Sequence, residues 1–137
     1  MYTSTQTVLQ QPIPADVERI GKIVLNAAYK VHTTLGPGLL EAVYQASMKH
    51  VIEKSGVSVR TDVKLPIMFE GTKLDSGLQL DMLVEKSVIL ELKSVERMNM
   101  LYEKQLVTYL RLSRLRLGFV INFNVPYLKD GIRRVVI

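Results

Sequence analysis

From residue 16 the apolar positions Val17, Ile20, Val24, Ala27, Ala28 and Val31 recur three and four apart, the period of a helix that buries one stripe. Asp16 stands where an N-cap or first-turn acid belongs, and Leu35-Gly36-Pro37-Gly38 stops the run. A second helix is predicted over about 39–54, with Leu40, Val43, Ala46, Met48, Val51 and Ile52 apolar and Gly56 as its stop. The period then drops to two. Val57, Val59 and Thr61 alternate with polar neighbours, and 65–69 continues as strand, with Pro66 marking an edge or a bulge. Glu70-Gly71-Thr72 is a turn, after which Leu78, Leu80, Met82 and Val84 alternate with Gln79, Asp81, Leu83 and Glu85. A short turn at 85–87 leads into the apolar run 88–93. A third helix is predicted over about 100–112, a buried-type strand over 117–123 and a last short strand within 131–137. Residues 1–14 are rich in Thr, Ser and Gln, and Pro12 and Pro14 bar a helix, so they read as a flexible N-terminal tail. Residues 15–137 read as one domain in the order ααβββαββ: an α/β fold of two or three layers, with a mixed central β-sheet flanked by helices.

The 137 residues suit a single domain, and 47% hydrophobic with 23% charged residues excludes wholesale disorder. Cysteine is absent, which removes disulfides, thiolate metal sites and a cysteine nucleophile. With only His32 and His50, the composition speaks against a histidine-rich zinc site; any metal would be held mainly by carboxylates, which favours magnesium or manganese. Eighteen Lys and Arg against thirteen Asp and Glu give a net charge of +5, which suits a polyanionic partner but is a weak sign taken alone. No apolar run approaches the roughly 18 residues that span a bilayer. The polar start lacks a signal-peptide layout, so a cytoplasmic protein without membrane contact is the expectation.

The run 88–93 carries the first candidate chemistry. Strand side chains alternate, so Ile89, Glu91 and Lys93 share one face while Val88, Leu90 and Leu92 share the other. Charges on such an apolar strand are costly unless they are paired or coordinate something. Asp81, ten residues earlier across a tight turn, can come level with Glu91. Two acids and a lysine then converge, as a cation site that polarises a phosphoryl oxygen would require. The rival is a solvated Glu91–Lys93 pair on a half-exposed strand. On the third helix Tyr102, Gln105 and Tyr109 share a side; their rival role is the edge of the core. On the second helix Glu41 and Tyr44 share a face after the Gly36-Pro37-Gly38 turn, and the helix dipole alone would favour Glu41 there. His32 suits a helix end and His50 an amphipathic face, and neither has a ligand partner at useful spacing.

Gly38-x-x-Glu41-x-x-Tyr44 resembles the signature of the GxxExxY protein family, which is assigned to the PD-(D/E)XK nuclease superfamily. The likeness runs from about residue 16 to 137. It includes Asp81-Met-Leu-Val84, Ile89-Leu-Glu-Leu-Lys93-Ser, Gln105-Leu-Val-Thr-Tyr109-Leu-Arg-Leu-Ser113 and Leu117-Gly-Phe-Val-Ile-Asn-Phe-Asn-Val125-Pro. The resemblance implies a restriction-endonuclease-like core and metal-dependent hydrolysis of phosphodiester bonds in nucleic acid, with DNA favoured. It implies Asp81, Glu91 and Lys93 as catalytic residues. Glu41, Asp81, Glu91 and the carbonyl of Leu92 would be ligands of Mg2+ or Mn2+, and Gln105, Tyr109 and Tyr44 would be substrate-binding residues. The family often has a histidine where Tyr102 stands, so a family role does not carry over to that side chain. With little chain beyond the core, specificity would come from a homo-oligomer, a partner protein or a narrow substrate class. The alternatives are a catalytically silent nucleic-acid-binding module, or a protein-interaction module, that retains the nuclease fold.

Overall fold

The apolar stripe from Ile20 to Val31 forms helix α1 (Ala15–Leu35), with Asp16 and Glu18 in its first turn, where the helix dipole favours acids. In this computed structural model residues 11–137 are described. α2 (Glu41–Lys54), β1 (Val59–Phe69), β2 (Thr72–Val84), β3 (Val88–Lys93), α3 (Met100–Ser113), β4 (Leu117–Asn122), a 3-10 turn and β5 (Ile132–Val136) follow in the predicted order. Most of the expected tail, residues 1–10, lies outside the described residues. Residues 11–14 have no regular structure, yet the Arg116 guanidinium donates to the carbonyls of Gln11 and Pro12 and ties the stretch before α1 to the chain entering β4. Among the described residues no helix is long and apolar enough to cross a membrane.

Among the described residues the sheet has five strands, in the order β1-β2-β3-β4-β5. Only β3 and β4 run parallel, joined through α3, and every other pair is antiparallel, so the sheet is mixed. α1 and α2 cover one face, where Ile20, Val24, Tyr44, Met48 and Ile52 pack on Val88, Leu90, Leu92, Phe119 and Ile121. α3 covers the other with Leu106 and Leu110 on Ile89 and Val120, which settles on three layers. Burying each such aliphatic side chain contributes roughly 1.5–3 kcal/mol, so β3 and β4, buried on both faces, anchor the fold.

The β1–β2 hairpin departs from simple alternation twice. The register shifts between Leu65 and Ile67, at the Pro66 bulge on an edge strand. Gly77 lies against that bulge, where a Cβ would come within 2.7 Å of the Ile67 nitrogen and 2.8 Å of the Leu65 oxygen. β2 therefore starts at Thr72, earlier than the alternation from Leu78 suggests, because pairing with β1 overrides the weak strand propensity of Asp75 and Gly77. The second departure is a change of face. Leu78 and Leu80 pack on the α3 side while Met82 and Val84 pack on the α1–α2 side, although residues two apart on a strand should share a face. β1 changes with it, Val59 on one side and Val63 on the other. The switch falls between the pairs Thr61↔Met82 and Val63↔Leu80. There Asp62 takes a left-handed φ of 51°, and both strands turn over together without losing register.

Candidate functional site

Asp81 sits at that kink, and the kink ends the pairing of β2 with β3. The ladder runs through Val84↔Val88, Leu83↔Ile89 and Met82↔Leu90. At the next position carboxylates replace the rungs: the Asp81 N–H donates to Glu91 Oε2 at 3.1 Å, and the Leu92 N–H donates to Asp81 Oδ2 at 2.8 Å. Each acid is thus held by the other's strand, and each keeps one oxygen with no hydrogen bond among the described residues. Glu91 is only 4% exposed. No fully buried side-chain oxygen lacks a partner among the described residues, so the free oxygen of Glu91 reaches solvent. Burial, then the charge of Asp81, pushes Glu91 up from 4.5 to about 8. Burial likewise raises Asp81, against the Leu92 N–H and Lys93, with Glu41 and Asp62 adding to the rise.

A cleft of about 180 Å³ opens beside Asp81, lined by Glu41, Ala42, Gln45, Asp62, Asp81 and Leu92. Glu41 is the first residue of α2 and is exposed across the cleft from Asp81. Leu92 borders the cleft while its side chain lies in the core. Gln45 donates to the Asp81 carbonyl at 3.0 Å and to Asp62 Oδ1 at 3.3 Å, bracing the kink from α2. A larger hollow of about 390 Å³ between α1 and α2, bordered by Lys30 and His50, holds no carboxylate, so volume is no guide to the chemistry.

Glu91 and Lys93 stand outside the lining of the cleft, on the α3 side of the sheet. The Lys93 Nζ rests 4.5 Å from the centroid of the Tyr102 ring, and none of the described ion pairs involves it. Tyr109 is half-buried on α3. Burial and then the charge of Glu91 raise its hydroxyl above the usual range, and a hydrogen bond with the main chain of Gln79 offsets part of this. Gln105 is exposed, and among the described residues it has no hydrogen-bond partner.

Tyr44 requires a correction. It was expected to touch substrate, yet it is fully buried, its ring stacked on Phe123 at 4.4 Å. Its hydroxyl donates to the Gly36 carbonyl at 2.6 Å and accepts from the Leu39 N–H at 3.1 Å. It locks the turn that delivers Glu41. His32 is structural too, its Nε2 2.8 Å from the Val125 carbonyl.

Three residues escaped the sequence reading. Asp62 and Gln45 carry no local signal, because their role exists only once the hairpin folds against α2. Asn122 did carry one, as the only amide in the apolar stretch 117–121 and 123. It is 1% exposed, and its carboxamide bonds both the N–H and the carbonyl of Val95. This fixes the chain just after Lys93, whose carbonyl in turn accepts from the Phe123 N–H at 3.0 Å.

Asp81 and Glu91 offer hard oxygen donors that suit a divalent cation of the magnesium kind. Among the described residues no three His, Asp or Glu side chains form a ready cation shell, so a cation would need main-chain or water oxygens as well. A family model described as the PD-(D/E)XK nuclease superfamily matches residues 18–135. The mixed sheet with helices on both faces is consistent with the restriction-endonuclease-like core of that superfamily. Neither the curated proteins nor the solved structures give a match.

Proposed function

Because the chain belongs to the PD-(D/E)XK nuclease superfamily, we propose that it hydrolyses phosphodiester bonds of nucleic acid, DNA in the first instance, at Asp81, Glu91 and Lys93. Residues 15–137 form the nuclease domain in this reading. The observation that carries it is Glu91, a carboxylate 4% exposed on an apolar strand, paired with no cation among the described ion pairs. Such a group keeps its proton near neutral pH unless a cation compensates the charged form. Asp81 and Glu91 would hold Mg2+ or Mn2+ with their unbonded oxygens, with the Leu92 carbonyl and Glu41 as further donors. When bound, the cation supplies electrostatic activation of the scissile phosphate and of the attacking water. Lys93 stabilises the negative charge that builds on the phosphate during attack. Tyr109 supports Glu91 from α3, and Gln105, exposed on the same helix, contacts the substrate backbone.

The test is cleavage of labelled single- and double-stranded DNA and RNA with magnesium, with manganese and with chelator. Cleavage that needs the metal supports the reading. Binding without cleavage under every condition favours a silent nucleic-acid-binding module, and neither binding nor cleavage favours protein interaction. Binding should weaken steeply with salt, because each neutralised phosphate releases a counterion.

A further inference from the structure

We infer that Tyr102 is a positioning residue for Lys93: its ring parks the ammonium beside the acid pair and keeps it from closing on the carboxylates. This rests on the catalytic reading of Lys93. Lysine carries its charge on a flexible four-carbon stem, and two residues away stands Glu91, with Asp81 beside it. Both acids feel the Lys93 charge. Left to itself the ammonium would pair with them and occupy the oxygens that a cation needs. Instead Nζ lies 4.5 Å from the Tyr102 centroid, within the range of a cation–π contact, and forms none of the described ion pairs. A ring face attracts the ammonium without consuming a carboxylate oxygen. Lys93 stays near, and the acids stay open.

Both partners are anchored from outside the contact. Asn99 caps α3, its Oδ1 accepting from the Leu101 N–H at 2.8 Å and its carbonyl accepting from the Tyr102 N–H at 3.0 Å. That cap sets the direction of Tyr102, whose ring is half-buried against the α3-side core. Lys93 is held by its carbonyl bond to Phe123 and by Asn122 clamping Val95. Ring and ammonium thus meet because two separate turns deliver them.

The experiment compares wild type, Tyr102→Phe and Tyr102→Leu in the full chain, each checked for folding by circular dichroism. Proton NMR of the Lys93 ε-methylene, assigned by its loss in Lys93→Arg, reads the contact without any reaction. Its signal should lie upfield of the other lysines in wild type and in Tyr102→Phe, and return to their position in Tyr102→Leu. Calorimetric magnesium affinity should fall about tenfold in Tyr102→Leu as the ammonium takes the carboxylates, and kcat should fall by about tenfold with KM unchanged. Phenylalanine, which keeps the ring face, should rescue both to within about threefold. An unshifted wild-type signal, or a leucine variant equal to wild type in affinity, overturns the inference. If wild type cleaves nothing, the nuclease reading fails by itself, while the NMR and calorimetric results still decide the role of Tyr102.

Discussion

Asp81 and Glu91 are held by the main chain of each other's strand, whereas Gln105, on α3, is exposed and has no hydrogen-bond partner among the described residues. The strand residues are placed by register, which holds each carboxylate on a main-chain N–H of the neighbouring strand. The helix residues are placed by which side of a cylinder meets the sheet. One consequence is Tyr44, only three residues from Glu41, which turns inward to stack on Phe123 while Glu41 faces the cleft. Strands here supply the fixed charges, and helices supply props and adjustable edges.

The sharpest way to break that contrast is to remove the strand charges. Asp81→Ala or Glu91→Ala should abolish divalent-ion binding in calorimetry with the circular dichroism spectrum intact. Lys93→Ala should lower the cleavage rate by roughly 10²–10³, about 3–4 kcal/mol. Lys93→Arg should not restore it, because a planar guanidinium does not reproduce a compact ammonium. Equal rates in all variants would remove the strand trio from the chemistry.

Next comes the cost of holding Glu91. An unfolded glutamate ionises near 4.5, while in the fold the proton stays on until about pH 8. Its contribution to stability is fully present below pH 4.5 and is lost as pH rises to about 8, on the order of 5 kcal/mol. Denaturant midpoints should therefore fall between pH 5.5 and 8.5 in chelator, and Glu91→Gln should flatten the decline. Added magnesium should restore stability at the higher pH by mass action.

Smaller effects test the helices. Tyr44→Phe keeps the stacked ring but leaves the Gly36 carbonyl and Leu39 N–H without their partner, and should cost about 1–3 kcal/mol in thermal unfolding. Gln105→Ala should change stability by no more than about 0.5 kcal/mol, since nothing in the fold depends on it. A weakened affinity for nucleic acid in that variant would show that the exposed edge of α3 serves the substrate. An unfolded variant would show instead that helix and strand residues are held alike.

Much of this was legible in the chain. The order of elements follows from the changes of hydrophobic period, and Pro66 marked both the bulge and the edge strand. The approach of Asp81 to Glu91 follows from a tight turn and simple pairing. The face change between Leu80 and Met82 did not show, because an unbroken alternation of apolar residues reads the same whether or not the strand turns over. Asp62 and Gln45 were hidden for the same reason: they matter only to a kink that no local pattern records. Tyr44 misled because a helix face is visible in sequence, while the neighbour it meets is not.

The paired turnover at Asp62 and Asp81 also divides the hairpin into a root and an arm. Because both strands reset there in step, rungs can be added to or taken from the arm two residues at a time without moving the acid at its root. Pro66 and Gly77 shape the arm on their own terms, well beyond the reset. Lengthening or shortening the arm of this chain should therefore leave Asp81 where it is.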